Sequence, residues 1–248
     1  SGRGRSVYRY VEPVRCRCGG PDDGCDCGQI VSSFVYGILW VLVRTIGWCC
    51  FRYRVVGAVP RTGGFIVAAN HASYVDIPLL GCGMRRRAWF LGRSDLFPVP
   101  GLKAICQWLG WIPLRTGRFD RDAFGKAVAL IKAGKVVVIF PEGSRSLDGR
   151  LQSAKPGIGM LVAQTGCPVV PAFLKGTFDV LPPGTTWPRF RPVTVLYGDA
   201  ITFLRDGEGE DAKQFYQKVS RTVMDRIASL GAVESPTQHS GAGIRNAE

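Results

Sequence analysis

Apolar residues follow two rhythms along this chain. Runs such as Phe65-Ile66-Val67-Ala68-Ala69 and Val136-Val137-Val138-Ile139-Phe140 are continuous and rich in β-branched and aromatic residues, and they read as strands buried on both faces. Elsewhere apolar residues return every third or fourth position, as Phe124, Val128 and Ile131 do, the spacing of a helix with one buried side. Asp120 and Asp122 suit the start of that helix and Gly134 its end. The pattern predicts strands near 53–57, 64–69, 87–91, 110–114, 135–140, 168–174 and 192–198. It predicts helices near 76–83, 100–109, 119–133, 155–165 and 210–230. Such alternation implies an α/β fold: a single domain over residues 52–230 with a central, mostly buried mixed sheet flanked by helices. A chain of 248 residues is long enough for one such core.

The flanks break the pattern. Residues 1–29 are rich in Arg, Gly and Cys and are expected to be poorly ordered, and the small, polar residues 231–248 read as a disordered tail. Ahead of the domain, Val31, Phe34, Val35, Ile38, Leu39 and Leu42 recur at helical spacing, so 30–51 reads as a membrane-proximal helix. Its uncharged run Ile30–Val43 has 14 residues, fewer than the roughly 20 needed to cross a bilayer. A helix lying in or dipping into one leaflet, with Arg44 snorkelling to the interface, fits better than a span over Ile30–Phe51. An ordinary helix packed on the domain is the third reading. The apolar run starts late and no small-residue cleavage site follows it, unlike a secretory signal. Ser1 in place of an initiator methionine is what a processed or truncated start would give.

Charge narrows the partners. A formal net charge of +13 suits nucleic acid, anionic lipid or phosphorylated ligands. No recognisable nucleic-acid-binding motif occurs, and the aromatics lie in apolar runs instead of interleaving a basic patch, so no nucleic acid is expected as partner. Arg85-Arg86-Arg87 and the set Arg115, Arg118, Arg121 suit a negatively charged membrane surface or plain solvation. Of nine cysteines, Cys16, Cys18, Cys25 and Cys27 form two CxC pairs around the turn Pro21-Asp22-Asp23-Gly24. These pairs are candidate zinc ligands, although CxxC is the usual unit; disulfides and an unstructured stretch are the alternatives. The other five cysteines lie in apolar surroundings and read as small core residues in a reducing compartment.

Candidate chemistry sits at strand ends. His71 is the one histidine inside the predicted domain, since His239 falls in the tail. It follows a buried strand and precedes a helix, where sites lie on open α/β sheets. Asn70 and Ser73 read as helix-start residues. A neutral imidazole takes a proton from a hydroxyl, and a carboxylate such as Asp76 can hold the other ring nitrogen in its protonated tautomer. Positions i and i+5 of a regular helix diverge, so the pair can meet only if His71 stands in the turn ahead of the helix. The alternative is a polar strand-end residue beside an ordinary first-turn acid. The second long strand opens into Pro141-Glu142-Gly143-Ser144-Arg145-Ser146. There glycine permits close backbone approach, Arg145 offers a planar fork for phosphate or carboxylate, and Ser144 and Ser146 add hydroxyls. No G-x-S-x-G elbow is present, so a hydrolase of that type is not expected.

Asn70-His71-x4-Asp76 followed by Phe140-Pro141-Glu142-Gly143-Ser144-Arg145-Ser146 resembles the glycerolipid acyltransferase family, which includes 1-acylglycerol-3-phosphate acyltransferases. Three further blocks match in order. Gly110-Trp111-Ile112-Pro113-Leu114-Arg115 is similar to the block whose arginine is taken to bind the acceptor phosphate. Ala154-Lys155-Pro156-Gly157-Ile158-Gly159 is similar to a lysine- and glycine-containing stretch. Cys167-Pro168-Val169-Val170-Pro171 is similar to a hydrophobic strand ending in proline near the acyl site. The likeness covers about residues 50–205, and its one departure is Ser144, where threonine is commoner.

The resemblance implies a membrane-associated O-acyltransferase at the cytoplasmic face. His71 would deprotonate the acceptor hydroxyl, with Asp76 orienting it. Arg115 and Arg145 would hold the phosphate of a lysophosphatidic acid-type acceptor, and Glu142 with Gly143 would position its glycerol. Ser144, Lys155 and Pro171 complete the implied substrate contacts. The acyl thioester donor, acyl-CoA or acyl carrier protein, is a co-substrate; no further cofactor is implied, and thiolate leaves without help from a metal. The alternatives are the same chemistry on another lysolipid or aminolipid, or a non-catalytic lipid- or metal-binding module. Trp108, Leu109, Trp111 and Ile112 either line an acyl tunnel or belong to the core.

Overall fold

In the computed structural model, which describes residues 27–94, 100–115, 117, 119–205 and 211–233, the apolar runs meet in one sheet of seven strands. In chain order the elements begin with α1 (Cys27–Phe51), β1 (Arg54–Val56), β2 (Phe65–Ala69), α2 (Asp76–Gly83) and β3 (Ala88–Arg93). Next come α3 (Pro100–Trp108), β4 (Trp111–Leu114), α4 (Arg121–Lys132), β5 (Val136–Ile139) and α5 (Gly157–Thr165). The last are β6 (Val169–Lys175), α6 (Thr177–Val180), β7 (Thr194–Tyr197) and α7 (Ala212–Val233). The strand order is β1-β7-β6-β2-β5-β3-β4. Strands from β6 to β4 run parallel, β7 is antiparallel to β6, and β1 is parallel to β7. The sheet is therefore mixed, as expected.

The unbroken apolar runs follow from burial on both sides. Along β2, Phe65, Val67 and Ala69 face one core with Leu79 and Leu80 of α2, while Ile66 and Ala68 face the other with residues of α4, α5 and α7. Asp120 caps α4 by accepting from Ala123 N, and Gly134, at φ +76°, closes it by donating to Ile131 O. Trp111 and Ile112 are buried core residues, whereas Trp108 is exposed.

Several expectations need correction. The four-residue α6 was not anticipated, because a single turn carries no periodicity. α7 runs three residues into the segment read as tail; residues 234–248 lie outside the described residues. Pro171 does not end its strand but lies inside β6, which continues to Lys175. Its ring is tolerated because its carbonyl accepts from Gly198 at the limit of the β6–β7 ladder, so the missing N–H costs one terminal bond. Arg86 and Arg87 are structural, not a free surface cluster: Arg86 donates to Gly63 O (2.7 Å) and Gly134 O (2.5 Å), and Arg87 to Trp108 O. Arg118 lies outside the described residues, and Cys49 is exposed, not core.

Helix α1 is docked along one side only. Trp40 Nε1 donates to Met84 O at 2.7 Å and Arg44 to Cys82 O at 3.1 Å, with the guanidinium over the Trp40 and Tyr53 rings. Arg44 thus meets the carbonyl end of α2, where the helix dipole favours a cation, instead of snorkelling. Tyr53 and Tyr197 donate to Leu79 O and Leu80 O of the same helix end, and burial pushes both phenols far above their ordinary range. The other side of α1 carries exposed Phe34, Ile38, Val41, Leu42, Ile46 and Trp48. The reading as an ordinary buried helix fails on that stripe. The window Phe34–Phe51 is long and apolar enough to cross a membrane.

Candidate active site

Parallel β2 and β5 are hydrogen-bonded neighbours, so the loops leaving their C-terminal ends meet at one edge of the sheet. The β2 loop holds His71 in an irregular turn before α2, whose first residue is Asp76. The geometric condition on the pair is met: His71 Nδ1 lies 2.8 Å from Asp76 Oδ2. The same oxygen accepts from Ala72 N and Ser73 N, each at 2.7 Å, so one carboxylate oxygen organises the whole turn. Asp76 is fully buried, and its Oδ1 has no protein partner among the described residues. The His71 side chain keeps 12% of its surface exposed, whereas that of Asp76 keeps none. Phe140, the last apolar residue of the second run, stacks on the imidazole at 4.1 Å between centroids and 17° between planes. With Nδ1 committed to Asp76, Nε2 is the free nitrogen, and the arrangement can take a proton from an approaching hydroxyl.

The β5 loop is tied to this turn through its backbone. Glu142 Oε1 accepts from His71 N at 3.0 Å and Oε2 from Gln152 N at 3.2 Å, while Ser146 N donates to His71 O at 2.8 Å. Glu142 is 2% exposed, and burial raises its carboxyl above the usual range against the lowering effect of those amides. Its two oxygens clamp loops together. Gly143 adopts φ +73°, the left-handed conformation that favours glycine, and a side chain there would have to displace the end of the Lys155 side chain. Lys155 is exposed and stands ahead of α5 instead of inside it. Ser144 Oγ lies 3.5 Å from Gln152 Oε1. Arg145 places its guanidinium 3.6 Å from the centre of the ring of Tyr74, three residues after His71 in the turn.

The remaining predicted residues lie farther out. Arg115 follows β4, at the same edge but beyond β3. Its side chain is exposed, its backbone N–H donates to Asp120 Oδ2 at 2.9 Å, and that bond and its charge help hold the Asp120 carboxyl below the ordinary range. Pro171 is buried within β6 opposite Ala68. Cys16, Cys18 and Cys25 lie outside the described residues; Cys27 opens α1, and no metal-binding group occurs among the described residues.

Four contributors were not legible as such. Asn70 starts no helix; it accepts from Leu174 N (2.7 Å) and donates to Leu174 O (3.2 Å), fastening β2 to β6. Ser73 is not the N-cap of α2, which is Val75; its hydroxyl accepts from Val75 N at 3.4 Å and donates to Leu181 O at 2.9 Å. Gln152 and Tyr74 had only weak signals, an amide ten positions after Glu142 and an aromatic just after Ser73 in the turn.

Comparison with known proteins places the chain among relatives of one family. The acyltransferase family model matches residues 52–175. A chloroplastic 1-acyl-sn-glycerol-3-phosphate acyltransferase of Brassica napus is 36% identical over 123 residues, 48% of this chain and 35% of that protein. A lyso-ornithine lipid O-acyltransferase of Pseudomonas aeruginosa is 30% identical over 131 residues, 50% of each chain. The crystal structure of the 1-acyl-sn-glycerophosphate acyltransferase of Thermotoga maritima matches with a TM-score of 0.60 and 30% identity, covering 81% of this chain and 83% of that one. The matched region spans between 35% and 50% of the length of these two curated relatives.

Proposed function

The chain belongs to the acyltransferase family, and we propose that it moves a fatty acyl group from an acyl thioester to the free hydroxyl of 1-acylglycerol-3-phosphate, giving phosphatidic acid. The observation that carries this reading is the 2.8 Å His71–Asp76 contact, held against the loop that bears Arg145. His71 Nε2 takes the proton of the acceptor hydroxyl as its oxygen attacks the thioester carbonyl. The tetrahedral intermediate collapses, the carbon–sulfur bond breaks, and the proton passes to the departing thiolate. Asp76 keeps Nδ1 protonated and stabilises the imidazolium. Arg145 and Arg115 bind the acceptor phosphate as planar donors, and Lys155 adds a third cation beside Gly143. The donor is acyl-CoA or an acyl carrier protein.

The exposed stripe on α1 supports a membrane-bound enzyme. A helix of 25 residues is about 37 Å long, enough to span, but its Trp40 and Arg44 are bonded to the domain, so a position along one leaflet fits better.

Purified full-length protein, given acyl thioester and lysophosphatidic acid, is expected to form a diacylated product by mass spectrometry. His71→Ala is expected to lower its rate by at least about 10²-fold; an unchanged rate would overturn the assignment. A second acceptor class has a specific observation behind it, the likeness to the lyso-ornithine lipid enzyme. A head-group panel separates the two: a preference for the aminolipid that survives loss of Arg115 would favour the second.

A further inference from the structure

The reversal of strand direction at β7 brings an unexpected region to the catalytic edge. β6 runs parallel to β2, so Lys175 lies at the His71 end of the sheet. β7 is antiparallel and pairs Thr194 with Lys175; β1 follows β7 and pairs Arg54 with Thr194. The C-terminal end of α1 therefore joins the sheet at the edge where the chemistry is held, and Val193 N donates to Phe51 O there at 2.9 Å. The loop between α6 and β7 leaves from the same edge. Leu181, at its start, accepts from Ser73 in the His71 turn. Farther along stand Trp187 and Phe190, 84% and 75% exposed, with Arg189 and Arg191 exposed between and after them. Phe190 lies 6.3 Å from Phe51 between ring centroids, so the loop packs against the C-terminal end of α1. Exposed Arg52 and Arg54 border the junction.

We propose that the Trp187–Arg191 segment, with the end of α1, is a contact surface for an anionic lipid bilayer, and that it seats the catalytic edge against the lipid. Large aromatics rarely stand this far into water without a partner. Tryptophan and phenylalanine flanked by arginines match an interface of acyl chains below and phosphates above. An acidic carrier protein would meet the same arginines, but it gives Trp187 and Phe190 no continuous apolar phase shared with the stripe on α1. The tie from Ser73 to Leu181 means that a loop resting on the membrane also fixes the distance from the bilayer to His71. The acceptor lipid then reaches the imidazole without leaving the membrane.

This inference rests on the membrane-bound reading above, and its first test needs no turnover. The full chain is mixed with phosphatidylglycerol vesicles carrying brominated acyl chains, and tryptophan emission is compared with that of Trp187→Phe. The emission missing from the variant should be quenched by bromine; if that component is unquenched, the proposal fails, whatever the enzyme does. Arg189→Gln and Arg191→Gln should each weaken partitioning into phosphatidylglycerol vesicles by about fivefold and leave pure phosphatidylcholine binding alone. Equal weakening on both lipids would overturn the electrostatic part. The Trp187→Ser, Phe190→Ser double variant should lose activity on vesicle-embedded acceptor and keep it on a short-chain soluble acceptor. Equal loss on both would mean that the loop only supports the fold. Quenching abolished by carrier protein, with vesicle activity intact, would assign the surface to that protein instead.

Discussion

The loops after β2 and β4 leave the same edge of the same sheet, yet they are held in opposite ways. After β2, one oxygen of Asp76 takes three donors, Phe140 stacks on His71, and Glu142 grips its backbone. After β4, the Arg115 side chain stands exposed, with its backbone N–H anchored by Asp120 and its charge acting on the same carboxylate. Proton transfer needs a ring fixed to within fractions of an ångström, and fixing it before substrate arrives removes that entropy from the reaction step. A cation that captures phosphate gains by staying hydrated until its partner comes, because a buried unpaired guanidinium is costly. Under the proposed roles, a fixed base and an exposed cation are two answers to two physical demands.

The strongest attack on this contrast is Asp76→Asn. The amide oxygen can still accept from Ala72 and Ser73, so the turn should hold, while the charge that supports the imidazolium is gone. We expect kcat to fall on the order of 10²–10³-fold with KM and the circular dichroism spectrum little changed; a fall below about tenfold would mean that the carboxylate only shapes the loop. Arg115→Ala should do the reverse, raising KM for a phosphorylated acceptor about tenfold with kcat nearly constant, and the effect should vanish with an uncharged head group. Tyr74 lies between the extremes, since it parks Arg145 on its ring. Tyr74→Leu should raise the same KM about two- to fivefold, and Tyr74→Phe, which keeps the ring, should restore it; if both variants behave alike, the stacking is incidental.

The smallest effect is a slope. Burial raises the Glu142 carboxyl in the folded protein, so the fold binds its proton more tightly than the unfolded chain does. That contribution to stability is present below the ordinary carboxyl range and is lost as pH rises through the folded value. Denaturant midpoints of wild type should fall over that window, and Glu142→Gln, which cannot titrate, should lack this component; identical slopes would place the carboxyl in solvent.

Much of this was legible before folding. Phe65–Ala69 and Val136–Phe140 announced strands because residues buried on both faces leave no polar alternation. His71 and Asp76 stood out because an imidazole is the usual base near neutral pH and the domain offers only this one. Asn70 and Ser73 were misread: their local preference is for helix starts, and a partner about 100 residues away outweighed it. Arg44 and Arg86 looked like surface cations, and both cap carbonyls that no sequence window contains.

What the sequence by itself determined is the set of elements and the chemical character of each loop, because periodicity, turn residues and side-chain type act over a few positions. Only the tertiary structure decided which loops share an edge. The order of strands and the reversal at β7 depend on contacts between distant segments, and those contacts bring the C-terminal end of α1, the loop of Trp187 and the His71 turn to one edge of the sheet.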